Sequence, residues 1–119
     1  MNVTPSPVGT YLRFIRRRSG LSQKQLAQIL GTVSQGQISR HERSVSQPSL
    51  LVAFGYEAVF RQPVSEIFPG FYHTVETAIN ERMEELESRL SDSTARGRAA
   101  ALIARQLEWL CERRNPESI

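Results

Sequence analysis

The stretch from Leu21 to Arg43 constrains this chain more than any other. It runs Leu21-Ser22-Gln23-Lys24-Gln25-Leu26-Ala27-Gln28-Ile29-Leu30-Gly31 and resumes as Val33-Ser34-Gln35-Gly36-Gln37-Ile38-Ser39-Arg40-His41-Glu42-Arg43. The pattern predicts two short helices, each opened by a serine, with a glycine-containing turn between them. Ser22 lies three residues before Gln25, the capping-box spacing in which side chains satisfy amides that a first helical turn leaves without partners. Leu26, Ala27, Ile29 and Leu30 give that helix its apolar face, and Gly31 ends it. Ser34 caps the next helix, whose central core residue is Ile38. This second helix begins with the uncharged, hydrogen-bonding run Gln35, Gly36, Gln37 and carries Arg40 about one turn on. A helix that enters a DNA major groove and touches base edges with its first residues needs such an end.

The flanking sequence builds a small helical domain around that pair. Thr4-Pro5-Ser6-Pro7 reads as extended chain. Val8, Leu12 and Ile15 fall at helical spacing from about Gly9 to Ser19, with Tyr11 and Phe14 on the flanks and Gly20 as the C-terminal cap. Pro48-Ser49 opens a fourth helix through Leu50, Leu51, Ala53, Phe54, Ala58 and Val59. Pro63 starts a short fifth turn holding Val64, Ile67 and Phe68, which Pro69-Gly70 is expected to stop. No strand-like alternation interrupts this part, so residues 1–70 predict a bundle of five short helices.

After Gly70 the pattern changes. Val75, Ile79, Met83, Leu86 and Leu90 form one helical stripe among charged residues, and Ser91-Asp92-Ser93 breaks and recaps the chain. Ala99, Ile103, Leu107 and Leu110 make a second stripe, broadened by Leu102 and Trp109. Residues 71–119 therefore predict a helical hairpin, too apolar to stand alone in water. The charge divides in the same place. Residues 1–70 hold eight basic and three acidic groups, net +5, while residues 71–119 hold seven arginines and nine acids, net −2. A basic front and an acidic rear suggest a polyanion-binding module joined to a part with another purpose.

The remaining composition excludes more than it assigns. The single cysteine, Cys111, has no internal partner, and its place after Leu107 and Leu110 reads as small-residue packing. No apolar run approaches membrane-spanning length, and the N-terminus lacks a basic start followed by an apolar core, so a cytoplasmic protein without membrane association is expected. His41 and His73 lie apart without a metal-ligand constellation, Gly31 and Gly36 form no phosphate loop, and the glutamates from Glu81 to Glu87 read as a solvated helix face. No catalytic residue, metal or cofactor is expected.

The segment from about Leu12 to Phe68 resembles the Xre, or phage Cro/C1-type, helix-turn-helix family. The residues that carry the resemblance are Ile15-Arg16, Gly20-Leu21-Ser22-Gln23, Leu26-Ala27, Gly31, Val33-Ser34-Gln35, Ile38-Ser39, Glu42-Arg43, Pro48-Ser49-Leu50 and Val64-Ser65-Glu66-Ile67-Phe68. The fold implied is all-α: a five-helix, lambda-repressor-like domain, followed here by the C-terminal hairpin. The resemblance also implies a structural salt bridge between Arg16 and Glu42, tying the first helix to the third. It puts Gln35, Gly36, Gln37 and Arg40 at base edges and Gln23, Ser34, Ser39 and Arg43 against phosphates. Gly31-Thr32-Val33-Ser34 is one residue longer than the family's usual turn. Ser44 occupies a place usually held by glycine, which would relieve a left-handed backbone, and His41 replaces a more apolar core residue, as a partly buried, hydrogen-bonded histidine. The loop Ser44-Val45-Ser46-Gln47 has no lysine or arginine for backbone clamping.

Together these features predict a transcriptional regulator that binds double-stranded DNA at an inverted-repeat operator as a homodimer, in the bacterial cytoplasm at the nucleoid. Its dimer surface is expected on Val75, Ile79, Met83, Leu86 and Leu90, with Leu107 and Trp109 opposite. The alternative is an adaptor or antitoxin-like protein whose hairpin binds a second protein, DNA contact being secondary. No sequence feature identifies a small-molecule effector.

Overall fold

A computed structural model describes residues 10–116. The Thr4-Pro5-Ser6-Pro7 segment and Val8 lie outside the described residues. Seven helices follow one another: α1 (Leu12–Ser19), α2 (Gln23–Leu30), α3 (Gln35–Glu42), α4 (Leu50–Phe60), α5 (Val64–Ile67), α6 (Pro69–Ser91) and α7 (Arg98–Arg114). No strand occurs among the described residues. The chain divides into two compact units, Met1–Val75 and Glu76–Ile119, with the division falling inside α6. No helix among the described residues is long and apolar enough to cross a membrane.

The first unit is built on capped short helices. Ser22 Oγ accepts the Gln25 N–H at 3.0 Å while Gln25 Oε1 accepts the Ser22 N–H at 2.9 Å, and Ser34 with Gln37 repeats the arrangement at 3.1 and 2.8 Å. Each cap contributes about 0.5–2 kcal/mol to a helix only eight residues long, too short to persist by propensity alone. Gly20 and Gly31 close α1 and α2 in the left-handed conformation, at φ 82° and 78°. α1 starts at Leu12 rather than Gly9: the Thr10 hydroxyl accepts the Leu12 N–H, and the Tyr11 N–H donates to the Ile67 carbonyl at 2.8 Å. That bond pins the head of α1 to the end of α5.

Leu12, Leu26, Ile38, Val52, Tyr56, Ile67 and Phe68 form the core, one or two from each of the five helices and the residue after α5. Each fully buried Leu or Ile stabilises by ~1.5–3 kcal/mol relative to exposure. Two expectations about faces change. Ile29 is 55% exposed, because on so short a helix Leu26, Ala27 and Leu30 define the inward direction and Ile29 falls to its flank. On α4 the inward residues are Val52, Ala53 and Tyr56, spaced i, i+1, i+4, whereas Leu50, Leu51 and Phe54 point away and are exposed. Pro69 and Gly70 begin α6 instead of spacing it from α5. Proline suits a first helical turn because its missing N–H would have no partner there.

In the second unit, α6 and α7 run antiparallel around a joint of six residues, 92–97. The Arg114 guanidinium donates to both oxygens of Glu87, at 2.5 and 3.1 Å, and Arg113 donates to Asn80 Oδ1 at 3.2 Å. Arg114 hydrogen bonding holds the Glu87 carboxyl below the usual carboxylate range. The pair is exposed to solvent, so it orients the hairpin more than it stabilises it. Ile79, Met83 and Leu90 of α6 and Ala100, Ile103 and Leu107 of α7 are half-buried, and Leu110 is the only buried residue among those described in this unit. Ala99 is exposed where the sequence stripe included it; Ala100 takes the inward place. Cys111 is exposed too, contrary to the packing role expected of it, because Leu110 takes the inward direction and the next residue turns about 100° away. Leu86, Leu102 and Trp109 remain exposed.

Candidate nucleic-acid interface

The two faces of α3 have opposite characters. Ile38, His41 and Glu42, spaced i, i+3, i+4, are buried; Gln35, Gly36, Gln37 and Arg40 are exposed. Three different ties hold the inner face.

The first is apolar: Ile38 is fully buried in the core. The second is ionic. Arg16 of α1 donates from Nε to Glu42 Oε2 at 2.5 Å and from Nη2 to Oε1 at 3.2 Å, while Nη1 donates to the Leu21 carbonyl at 2.9 Å. Both side chains are almost wholly withdrawn from solvent. The Gln23 carboxamide also donates to Glu42 Oε1, at 3.0 Å. One carboxylate thereby gathers α1, the α1–α2 turn, α2 and α3. The third tie runs to α4, where the Tyr56 hydroxyl lies 2.7 Å from His41 Nδ1 and the two rings meet edge-on at 5.8 Å. Burial, with Arg40 adding to it, lowers the His41 pKa, and burial raises that of Tyr56. Both shifts favour the neutral forms, and the imidazole tautomer sets which of the two groups donates.

The candidate contact residues divide once these bonds are drawn. Among the described residues the side chains of Gln35 and Arg40 make no hydrogen bond, and both are exposed on the outer face. Gln37 and Ser34 are also exposed, but each uses one side-chain oxygen in the cap. Gln23 sits at the first position of α2, half-exposed, with its carboxamide directed to Glu42, so its N–H rather than its side chain remains for a phosphate. Arg43 Nε reaches Ser39 Oγ at 3.4 Å on the exposed side. A Cβ at Gly36 would meet Ser34 Oγ at 3.8 Å and Arg40 Nη1 at 3.9 Å, so among the described residues nothing requires glycine there. Gln35, Gly36, Gln37 and Arg40 lie on one face, with Arg43 beyond Arg40 at the helix end. Sequence reasoning missed Tyr56, because nearly every residue of α4 is apolar and spacing alone does not single it out.

Backbone strain sits at the end of α3. The Val45 N–H donates to the Arg40 carbonyl at 2.9 Å and the Ser44 N–H to the His41 carbonyl at 3.2 Å, a Schellman closure in which the residue after the cap turns left-handed. That residue is Ser44, at φ 60°. A left-handed non-glycine residue costs ~1–2 kcal/mol. Allowing for the greater freedom glycine gives the unfolded chain, Ser44→Gly is expected to stabilise the protein by about 0.5–1 kcal/mol. Urea unfolding reads the shift directly. An unchanged or lower midpoint would mean that Ser44 side-chain interactions outweigh the strain.

Among the described residues no group of three or more His, Cys, Asp or Glu side chains is placed to hold a metal ion. A family model described as helix-turn-helix matches residues 12–67. No curated protein and no solved structure matches the chain.

Proposed function

We propose that the chain, whose residues 12–67 match a helix-turn-helix family model, is a DNA-binding regulator of the Cro/C1 type that reads a specific operator as a homodimer. In this reading residues 1–70 bind DNA and residues 71–119 pair two copies across an inverted repeat, in the cytoplasm at the nucleoid. The observation that carries the readout is the division of α3. Its inner face is tied to α1, α2 and α4, while Gln35, Gly36, Gln37 and Arg40 are exposed on one outer face. A recognition helix must be rigid on one side and open on the other.

Gln35 and Arg40 are the principal base-reading side chains, since glutamine pairs with adenine and arginine with guanine through two hydrogen bonds each. Gln37 adds its amide nitrogen, and Gly36 lets the backbone come near. The α2 amide at Gln23, the hydroxyls of Ser34 and Ser39 and the Arg43 guanidinium face phosphates, where the start of α2 also favours an anion through its dipole.

Arg40→Ala is expected to cost ~1–3 kcal/mol on the selected operator and to relax preference at one base pair. Arg43→Ala is expected to weaken operator and scrambled duplex alike. Titrations of both variants on both duplexes separate the two effects. An Arg40→Ala protein with the parent's specificity ratio would remove Arg40 from the readout.

Pairing rests on the hairpin. With one buried residue among those described and a half-buried stripe through Ile79, Met83 and Leu90, it needs further cover. Trp109 and Leu102 on α7 are exposed outside that stripe, and they favour a second reading in which another protein docks there.

A further inference from the structure

We propose that Tyr56 and His41 are a positioning pair for sequence discrimination: a hydroxyl on α4 that does not reach the surface sets the angle at which α3 presents Gln35 and Arg40. This rests on the reading of α3 as the recognition helix.

The geometry is specific to these two residues. Tyr56 is fully buried, and its ring also packs against Phe68 at a centroid distance of 5.9 Å. Its hydroxyl therefore has one place to be, 2.7 Å from His41 Nδ1. The tie matters because of where the other ties lie. The ionic cluster at Glu42 fixes α3 to α1 and α2, and close backbone packing joins α3 to those same helices. Toward α4 the backbones approach at fewer points, and among the described residues the polar link is His41 to Tyr56. A helix eight residues long held along one side by Ile38 and Glu42 retains freedom to roll about that line. His41, one turn from Ile38 and adjacent to Arg40 in the chain, removes it.

The phenol can donate to a bare Nδ1 or accept from Nδ1–H, so it satisfies the buried ring nitrogen in either tautomer. The ionisable groups around it are Arg40 and Glu42 on α3, Tyr56 on α4, and Arg16 on α1, which is engaged with Glu42. Burial and Arg40 both oppose the imidazolium. Removing the Tyr56 hydroxyl leaves the buried Nδ1 without its hydrogen-bond partner, and His41, next to Arg40 in the chain, has to move to satisfy it.

The test uses the full chain and two duplexes, a selected site and a scrambled one, at pH 8, 7 and 6. The parent is expected to keep one affinity ratio between the duplexes throughout. Tyr56→Phe, which preserves the ring and its packing, is expected to fold by circular dichroism and to lose specificity. Its ratio should fall about threefold or more at each pH, with scrambled-duplex affinity matching the parent's. A second variant, Tyr56→Phe with His41→Phe, replaces both polar partners by apolar rings, leaves no unpaired buried nitrogen, and is expected to recover the parent's ratio. A Tyr56→Phe protein with the parent's ratio at every pH overturns the proposal, as does an equal loss on both duplexes, which marks a purely structural role. If Tyr56→Phe fails to fold, a double variant that folds with the parent's ratio supports the pairing, and one that folds without discrimination overturns it. A parent that does not distinguish the duplexes overturns the recognition-helix reading itself, an outcome separable from the others because it precedes any substitution.

Discussion

Glu42→Ala is expected to destabilise the helix-turn-helix unit by ~3–5 kcal/mol, the cost of leaving a buried charge without its partner. Arg16 would keep only its bond to the Leu21 carbonyl, and Gln23 would lose its acceptor. Small proteins have only about 5–15 kcal/mol in total, so the variant should be largely unfolded at temperatures the parent tolerates. The pair's value lies in its completeness rather than in the charges themselves. Arg16→Met combined with Glu42→Leu, apolar groups of similar volume, is therefore expected to lie within about 2 kcal/mol of the parent. Urea unfolding of the parent, the single variant and the double variant measures all three. A Glu42→Ala cost below about 1 kcal/mol would put the pair with exposed ion pairs, which the withdrawal of both side chains from solvent contradicts.

The second large effect is expected in the hairpin. Leu86→Glu with Leu90→Glu sets two carboxylates on the α6 stripe, where Leu86 is exposed and Leu90 half-buried. If two copies pair through that stripe, the variant should remain folded, sediment as a monomer and bind the operator about a thousandfold more weakly, close to the non-specific level. The magnitude follows from symmetry: a monomer reads one half-site, and a single small domain buries too little DNA contact for discrimination on its own. A parent that is already monomeric at micromolar concentration without DNA would remove the constitutive dimer. A double variant that unfolds outright would assign the stripe to the chain's own core, and one that dimerises and binds like the parent would move pairing elsewhere, with the exposed Trp109 and Leu102 as the next surface to alter.

The framework was legible because short helices announce their ends. Ser22 with Gln25, Ser34, Ser49, Gly20 and Gly31 mark boundaries that the structure places within a residue or so of where the sequence put them. Faces were less legible. On α4 nearly every residue is apolar, so periodicity alone did not separate the inward Val52, Ala53 and Tyr56 from the outward Leu50, Leu51 and Phe54. α2 misled at Ile29 because eight residues give only two turns over which to fix a direction. For the site, the resemblance named Arg16 and Glu42, and the structure joins them. It could not say that Gln23 completes the cluster, because that bond depends on the placement of α2 against α3 across nineteen residues of chain. The partner of His41 was hidden for the same reason. A buried histidine demands an acceptor or donor, but sequence does not say which helix supplies it.

Selection of bound duplexes from random DNA by the full chain is the most direct measurement of the central claim that α3 reads sequence for a paired regulator. The account predicts an enriched consensus of two inverted half-sites with centres about 10 bp, or one helical turn, apart. It also predicts that Arg40→Ala loses the enrichment at one base pair in each half-site. A pool that stays random after repeated rounds, or the same consensus returned by Arg40→Ala, would contradict it.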